Sequence, residues 1–495
     1  MKNFRKKIFF SIITVIFILS VILSTFVFKK EKKTNTIYNI SAQIHENFLS
    51  GELLLEYINT SKTNVDDQYF CLYPNAFKSE DNILNTTVKD KLNDAYPNGF
   101  DNGYINITDV YVDNEKATYE LEEKEQILRV KTEQIKPDDH CDIKISFDVK
   151  IPDSPMRFGY GKNTYNFGNW YPVLCPFENG VPIKSLYTAN GDPFYSECAD
   201  YFVDITVSPE FRLATSGKIL KKEIKDPLNT KWFVEGKNIR DFAFIISTDY
   251  KLKSQQVGDT IVYSYYLNDD KLGQKALDYA VNSLEIFSSM FGEYPYETLT
   301  VAESDFYIGG MEYPNLVYIN TELYSDSSIE ALEEVVVHEV AHQWWYGVVG
   351  NNEIDDPWLD EGLTQYSVAL YYEQKYGIER YKSFLRENET YCKFVFEILR
   401  NAYGDVNKQI ARKSSEFEHW LLYDAITYDV ASLMFDEIRI SLGDDMFFSG
   451  LQRYYAENSY KIATKENFIN SMYNATNKNI AGIMDPWLNG KIYWG

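Results

Sequence analysis

Positive charge is scarce in this chain. Against 73 Asp and Glu stand 49 Lys and Arg, a formal net charge of -24. Nucleic-acid binders draw most of their affinity from basic groups that displace phosphate counterions, so the balance argues against nucleic acid as a partner. Cysteine is sparse as well. Cys71, Cys141, Cys175, Cys198 and Cys392 are scattered without a C-x-x-C pair, which argues against a cysteine zinc site. The odd count leaves at least one thiol free. Cys175 and Cys198 could pair, and the sequence equally allows buried, reduced thiols. Histidine is as rare as cysteine, with five in 495 positions. No internal repeat and no low-complexity tract occurs, and only one long uncharged apolar run is present.

What the chain does have is apolar and aromatic bulk. Hydrophobic residues make up 45%, with 40 Tyr and 31 Phe, enough for sizeable cores. The length of 495 residues exceeds one ordinary core and suggests about two to four domains. The apolar run is Ile8 to Phe28, flanked by Lys2, Arg5, Lys6 and Lys7 before it and Lys29, Lys30, Lys32 and Lys33 after it. A bilayer core needs about 20 apolar residues in helical form, and no small-residue cleavage site stands out. Residues 1–36 are therefore expected to form a membrane anchor and stalk. The flanking charges are balanced, and the short basic start resembles a signal-anchor. The expected location is the cell membrane, single-pass, with the bulk of the chain outside the cytoplasm.

Residues 37–255 read as an antiparallel β domain. Tyr201 to Val207 is a β-branched and aromatic run closed by Ser208-Pro209, and Asp241 to Thr248 and Thr260 to Leu267 read similarly. From residue 256 to 495 the pattern becomes a short sheet plus helices. Leu272 to Phe291 has helical spacing and stops at Gly292. Glu297 to Glu303 and Leu316 to Asn320 look like strands. The fold class is multi-domain α+β.

Ser327 to Gly347 reads as one helix, with Ser327 and Glu330 as a capping box. It carries His338-Glu339-Val340-Ala341-His342. Two His at i and i+4 lie on one helix face, so both imidazoles can reach one ion. Glu339 is offset by one residue, which suits a base acting on water that the metal activates. A catalytic zinc site needs a third protein ligand and an open position. Glu361 in Trp358-Leu359-Asp360-Glu361-Gly362 supplies a candidate at the start of a second helix, with Asp356 as N-cap and Pro357 at the first helical position. Asp356 and Asp360 are candidates for orienting the imidazoles. His45, His140 and His419 have no ligand-spaced partner and read as structural.

These residues resemble the gluzincin aminopeptidases, the group that includes membrane alanyl aminopeptidase, puromycin-sensitive aminopeptidase and leukotriene hydrolase. H-E-x-x-H followed after eighteen residues by W-L-x-E-G is similar to that family's zinc signature. Gly309-Gly310-Met311-Glu312-Tyr313 resembles its G-[AG]-M-E-N motif, departing from it at Tyr313. Tyr428-Asp429-Val430-Ala431-Ser432-Leu433-Met434 resembles a third motif. The likeness is firmest from about residue 270 to 440. Upstream, Trp170-Tyr171-Pro172 and Ala199 to Val203 look like the family's β domain.

The resemblance implies a β-rich domain followed by a thermolysin-like zinc peptidase domain with one Zn2+ per chain on His338, His342 and Glu361. It implies Glu339 as general base, Tyr428 as oxyanion donor, and Glu312 as anchor for a free α-amine. Gly309, Gly310 and Met311 are expected beside the substrate, which would be a peptide with a free N-terminus. Members usually carry a further helical domain. With Gly495 as the last residue, a more open cleft is expected, or a partner that closes it. Two other readings stand beside the aminopeptidase: a thermolysin-like zinc endopeptidase, and a noncatalytic peptide-binding domain.

Overall fold

Alternation of inward apolar and outward polar residues makes the first half a sheet structure. A computed structural model describes residues 35–178 and 180–491. In Ala199–Val207, the side chains of Tyr201, Val203, Ile205 and Val207 are buried while Phe202 faces out. His140–Lys150 buries Cys141, Ile143, Ile145, Phe147 and Val149 in the same rhythm. Both lie in an eight-stranded sheet ordered Lys218–Asp226, Asn229–Ile239, Ala199–Val207, Ile37–His45, Phe48–Ile58, His140–Lys150, Tyr104–Val112 and Glu115–Lys116. The pairing is antiparallel except between Ile37–His45 and Ala199–Val207, which run parallel. Two four-stranded sheets and the two-stranded pair Phe177–Glu178 and Val181–Pro182 complete this half. The expected strand at Asp241 to Thr248 forms only over Phe244–Ser247. Its start is diverted because the buried Asp241 carboxylate accepts from Asn169 Nδ2, from Tyr171 OH at 2.9 Å and from the Phe242 amide.

The change of sheet falls at Asp249–Tyr250, a few residues ahead of the expected boundary. Lys251–Val257 already belongs to a second sheet of five strands, followed in order by Thr260–Tyr266, Thr298–Ser304, Leu316–Asn320 and Gly310–Met311. The central strand Thr298–Ser304 is parallel to both neighbours and buried at every position, as a strand covered on both faces must be. Its two faces join different cores. Val301, Val317 and Ile319 pack with the helices, whereas Ala302, Leu316 and Tyr318 pack with the β domain. The helix Asp270–Phe291 starts at Asp269, whose carboxylate accepts from the amides of Lys271 and Leu272. It stops at Gly292, where φ is 140°. Beyond Ser328 the chain is largely helical.

Two expectations at the signature helices are corrected. The helix begins at Ile329 after a 3-10 turn at Asp326–Ser328, with no side-chain cap, and ends at Ala341 rather than Gly347. Trp344, Trp345 and Tyr346, all buried, follow in a turn where Tyr346 takes φ 120° and its amide donates to the Val349 carbonyl at 2.8 Å, so the chain leaves the helix and reverses. The second helix, Trp358–Tyr376, has Pro357 at its cap instead of Asp356, whose carboxylate accepts from Trp358 Nε1 at 3.0 Å. All five cysteines are free, and Cys175 lies against Cys71, Sγ to Sγ 3.4 Å, not against Cys198. The expected membrane helix lies outside the described residues, and among those described no helix is long and apolar enough to cross a membrane.

One buried guanidinium ties the halves together. Arg240, just past the strand Asn229–Ile239, donates to the carbonyls of Tyr346 at 2.8 Å, Ser196 at 2.8 Å and Lys461 at 3.1 Å. Arg240→Ala would strand the Tyr346 and Ser196 carbonyls away from water, each worth about 1–3 kcal/mol, while the Lys461 carbonyl keeps the Gly350 amide at 3.0 Å. The expected loss exceeds about 3 kcal/mol, read as a lowered denaturant midpoint. Arg240→Lys should not restore it, because an ammonium lacks the planar fork.

A buried metal centre between two helices

The metal-binding side chains are placed by helix geometry and fixed by what lies behind them. His342 follows the last residue of the helix Ile329–Ala341 but keeps helical dihedrals, φ -59° and ψ -18°. One turn therefore still separates it from His338, and the two Nε2 atoms stand 3.2 Å apart. Glu361, on the first turn of Trp358–Tyr376, brings Oε2 to 3.2 Å from His338 Nε2 and 3.0 Å from His342 Nε2. The three donor atoms lie within 4.8 Å of one another.

The far side of each ring sets its tautomer. His342 Nδ1 is 2.9 Å from the Trp345 carbonyl, which can only accept, so Nδ1 carries the proton and Nε2 offers its lone pair. Thr364 Oγ1 lies 3.2 Å from the same Nδ1. His338 Nδ1 is 3.0 Å from Gln365 Oε1, while Gln365 Nε2 donates to Asp429 Oδ1 at 3.2 Å. The chain Asp429–Gln365–His338 turns the second lone pair inward too. These partners replace the expected pair of aspartates. Asp356 is engaged with Trp358, and Asp360 Oδ1 accepts from Asn351 Nδ2 at 2.9 Å. Gln365 sits four residues after Glu361 on one helix face. That spacing is visible in sequence, and the expectation that carboxylates orient imidazoles passed over it.

Glu339 and Glu312 face the cleft without partners. Both are buried, and Glu339 Oε2 and Glu312 Oε1 have no hydrogen bond. They group with His342 within 4.8 Å. Burial pushes the Glu339 carboxyl up to about 8, helped by the Glu361 and Asp192 charges and opposed by His342. Burial raises Glu312 well above its usual range, and Asp192 adds to this. Gly310 has no room for a Cβ, because the Glu339 carboxylate occupies that space. The Glu312 turn is held by Gln343, the residue after His342. Gln343 Oε1 accepts from the Asn315 amide at 2.7 Å, and its Nε2 donates to the Tyr313 carbonyl at 3.2 Å. Gly309 and Gly310 line the cleft as expected. Met311 does not offer its side chain there: it is buried in the β-domain core, and its Sδ accepts from Arg157 Nε at 3.0 Å. The alternation along Gly310–Met311 turns it to the opposite face.

Tyr428 reaches the site through an irregular turn. It lies in a π-helical segment, Ala425–Val430, a form concentrated at functional sites. The extra residue in the turn brings Tyr428 OH to 2.6 Å from Glu361 Oε1, where it donates. Its ring stacks on His338 at 5.7 Å. The whole site opens into a cavity of about 610 Å³.

Two neutral imidazole nitrogens and one carboxylate, buried and converging, fit zinc, with an open side toward the cavity. Burial lowers His338 despite Glu361. His342 is held well above its usual value, since Glu312 and Glu361 outweigh its burial.

Residues 275–487 match the peptidase family M1 domain. This part of the chain is an M1 peptidase domain. Aminopeptidase M1-B of Oryza sativa subsp. japonica is 24% identical over 71% of the chain and 41% of that protein. Aminopeptidase N of Lactococcus lactis subsp. lactis is 28% identical over 79% of the chain and 47% of that protein. The chain thus spans less than half the length of the curated relatives it matches. The crystal structure of an M1 zinc metallopeptidase from Deinococcus radiodurans superposes with a TM-score of 0.65 at 14% identity, covering 94% of this chain and 97% of that one. This likeness extends the shared fold across the β domain as well as the M1 domain.

Gln365→Ala should weaken metal binding by about 10–100-fold, because it frees the His338 ring to rotate and leaves its tautomer unset. Competition with a chelator measures the change. In the same assay affinity should rise with pH. Without metal the site favours a proton on His342, and that proton must leave for Nε2 to bind.

Proposed function

We propose that the chain is a zinc aminopeptidase, hydrolysing the first peptide bond of peptides with a free N-terminus. The observation that carries this reading is the buried, unpartnered Glu312 carboxylate in the cleft beside His342. A charge buried without a partner is costly. The ammonium of a peptide N-terminus supplies the missing charge and donors in a partly desolvated setting, where charge-assisted bonds are strong. An endopeptidase has no use for such a group, and a noncatalytic peptide binder has none for an orphaned Glu339.

His338, His342 and Glu361 would hold the zinc, which when bound supplies Lewis acidity that lowers the pKa of water and polarises a carbonyl. Glu312 sets the register by fixing the amine. Glu339 takes the proton from the attacking water and passes it to the leaving amine. Tyr428 OH donates toward the oxygen that becomes negative as the carbonyl carbon turns tetrahedral. In the free site its single proton goes to Glu361 Oε1 at 2.6 Å, so the hydroxyl has to turn from Glu361 to that oxygen as the charge develops.

Glu339→Gln should keep the metal and lose nearly all turnover, and appreciable turnover by a clean preparation would remove Glu339 from this role. Tyr428→Phe should lower kcat by about 2.7–4 kcal/mol of transition-state stabilisation. Glu312→Gln should cut kcat/KM for free-amine substrates with metal content unchanged, and discrimination against N-acetylated analogues should shrink toward unity. If the wild type cleaves N-acetylated and free peptides equally fast, the endopeptidase reading takes over. We also place the protein in the cell membrane with its catalytic part outside the cytoplasm, on the strength of the uncharged run Ile8 to Phe28. Full-length protein should resist carbonate extraction, and protease added to intact cells should remove the ectodomain.

A further inference from the structure

The cleft is lopsided in charge behind His338. Glu334 lies one helical turn before His338 on the same face. Asp429 lies beyond Gln365, and Asp424 sits on the turn that leads to Tyr428. All three line the same cavity as the metal-binding side chains. Asp429 is only 8% exposed. Each has polar neighbours, and of the three only Glu334 faces a cation, Arg380. Gln365 Nε2 donates to Asp429, and Tyr391 OH donates to Asp424 at 2.7 Å. Among the described residues, none of the three forms an ion pair with a lysine or arginine. Arg380, which faces Glu334, is committed to Glu387 at 3.0 Å. The two cations that line the cavity are committed too, Arg157 to Asp192 at 2.5 Å and Lys91 to Asp94 at 3.3 Å. The same cavity holds buried carboxylate oxygens with no partner at all, Glu312 Oε1 and Glu339 Oε2. This is an acidic wall awaiting a positive group, half-buried at Glu334 and Asp424 and buried at Asp429.

Its position relative to the metal centre says which part of a substrate meets it. Glu312 groups with Glu339 and His342. Glu334 and Asp429 lie on the other side, behind His338 and reached through Gln365. A peptide whose amine sits on Glu312 and whose first carbonyl lies over the metal runs on past His338 and Tyr428. Its second side chain then meets the wall.

We infer that Glu334, Asp424 and Asp429 select a cationic side chain on the residue after the scissile bond, so that the preferred substrates carry Lys or Arg in second position. The inference rests on the aminopeptidase reading for its numbering from the N-terminus. A Lys or Arg there pairs with carboxylates already desolvated by the fold, where the attraction is far stronger than at a surface. Burial has pushed both Glu334 and Asp424 up to about 6, so each gains from a neighbouring positive charge. An acidic second residue meets like charge and is rejected.

The test is a tripeptide panel on zinc-loaded protein, with Ala first, the second residue Arg, Lys, Gln, Leu or Glu, and Gly third. A reversed set varies the first residue with Ala second. We expect kcat/KM for Arg or Lys in second position to exceed Gln about tenfold or more, with Glu lowest. Glu334→Gln and Asp424→Asn should each move the Lys-to-Gln ratio toward unity. A flat second-position profile overturns the inference, and so does a cationic preference confined to the first residue. Cleavage of N-acetylated peptides as fast as free ones would sink the aminopeptidase reading alone, and the wall would then be read at the residue following the cut bond. If no peptide is cleaved, calorimetry on zinc-loaded Glu339→Gln protein decides. Tenfold tighter binding of Ala-Arg-Gly than Ala-Gln-Gly supports the wall, and equal binding overturns it.

Discussion

Asp192, Glu312, Glu339, Glu353, Asp360 and Glu361 are all buried around the metal centre, and their mutual repulsion is the constraint that organises this part of the fold. Isolated buried carboxylates are too costly to keep ionised. The balancing charges are few. Arg157 pairs with Asp192, and Arg240 is spent on backbone carbonyls. Glu353 has neither carboxylate oxygen hydrogen-bonded, and burial pushes its carboxyl well up. Glu361 is the exception that holds its charge. Burial favours its protonated form, but the His342 charge and bonds from both imidazoles outweigh this and bring it below the usual range. A divalent cation among His338, His342 and Glu361 would relieve the cluster as a whole, so metal binding and the stability of this region are coupled.

The placement of these groups depends on close backbone approaches that only certain residues permit. Gly310 lets the strand Gly310–Met311 lie against Glu339. The π-helical turn at Ala425–Val430 advances Tyr428 toward Glu361 and at the same time sends Asp429 to Gln365. One irregular turn thus supports an imidazole from behind and carries a hydroxyl to the front of the same centre.

Much of this was legible in the sequence because spacing and alternation report helix and strand faces. His338, His342 and Glu361 could be read from two helical turns and a helix start. Leu316–Asn320 formed over the expected residues, and the helix expected from Leu272 to Phe291 was two residues longer at its start. What stayed hidden depends on tertiary contact. The helix ending at Ala341 goes with the reversal at Tyr346, where φ is 120°, and no sequence period marks that turn. Residue type points to Asp356 and Asp360 as imidazole partners, but these bond Trp358 and Asn351 instead. Gln365 satisfies the geometry, and a neutral amide carbonyl serves as acceptor as well as a carboxylate. The π segment has no sequence period of its own, and the parallel pairing of Ile37–His45 with Ala199–Val207 joins segments far apart in the chain.

Tyr313 shows how a departure from a motif can leave the chemistry beside it unchanged. It follows Glu312 directly, yet its side chain points to the opposite side and is fully buried in the β-domain core. Its hydroxyl donates to Asn169 Oδ1 at 3.0 Å, and Asn169 in turn donates to Asp241. The ring is admitted because Gly168 has no Cβ, which would collide with the Tyr313 hydroxyl. The backbone of the turn is meanwhile fixed from the metal side by Gln343, through the Tyr313 carbonyl and the Asn315 amide. The large residue is accommodated on the β-domain face by Gly168 and Asn169, and the Glu312 carboxylate is positioned by contacts that do not involve the Tyr313 ring. The difference from the family motif is therefore taken up by repacking between the two domains, and the cleft keeps its buried carboxylate.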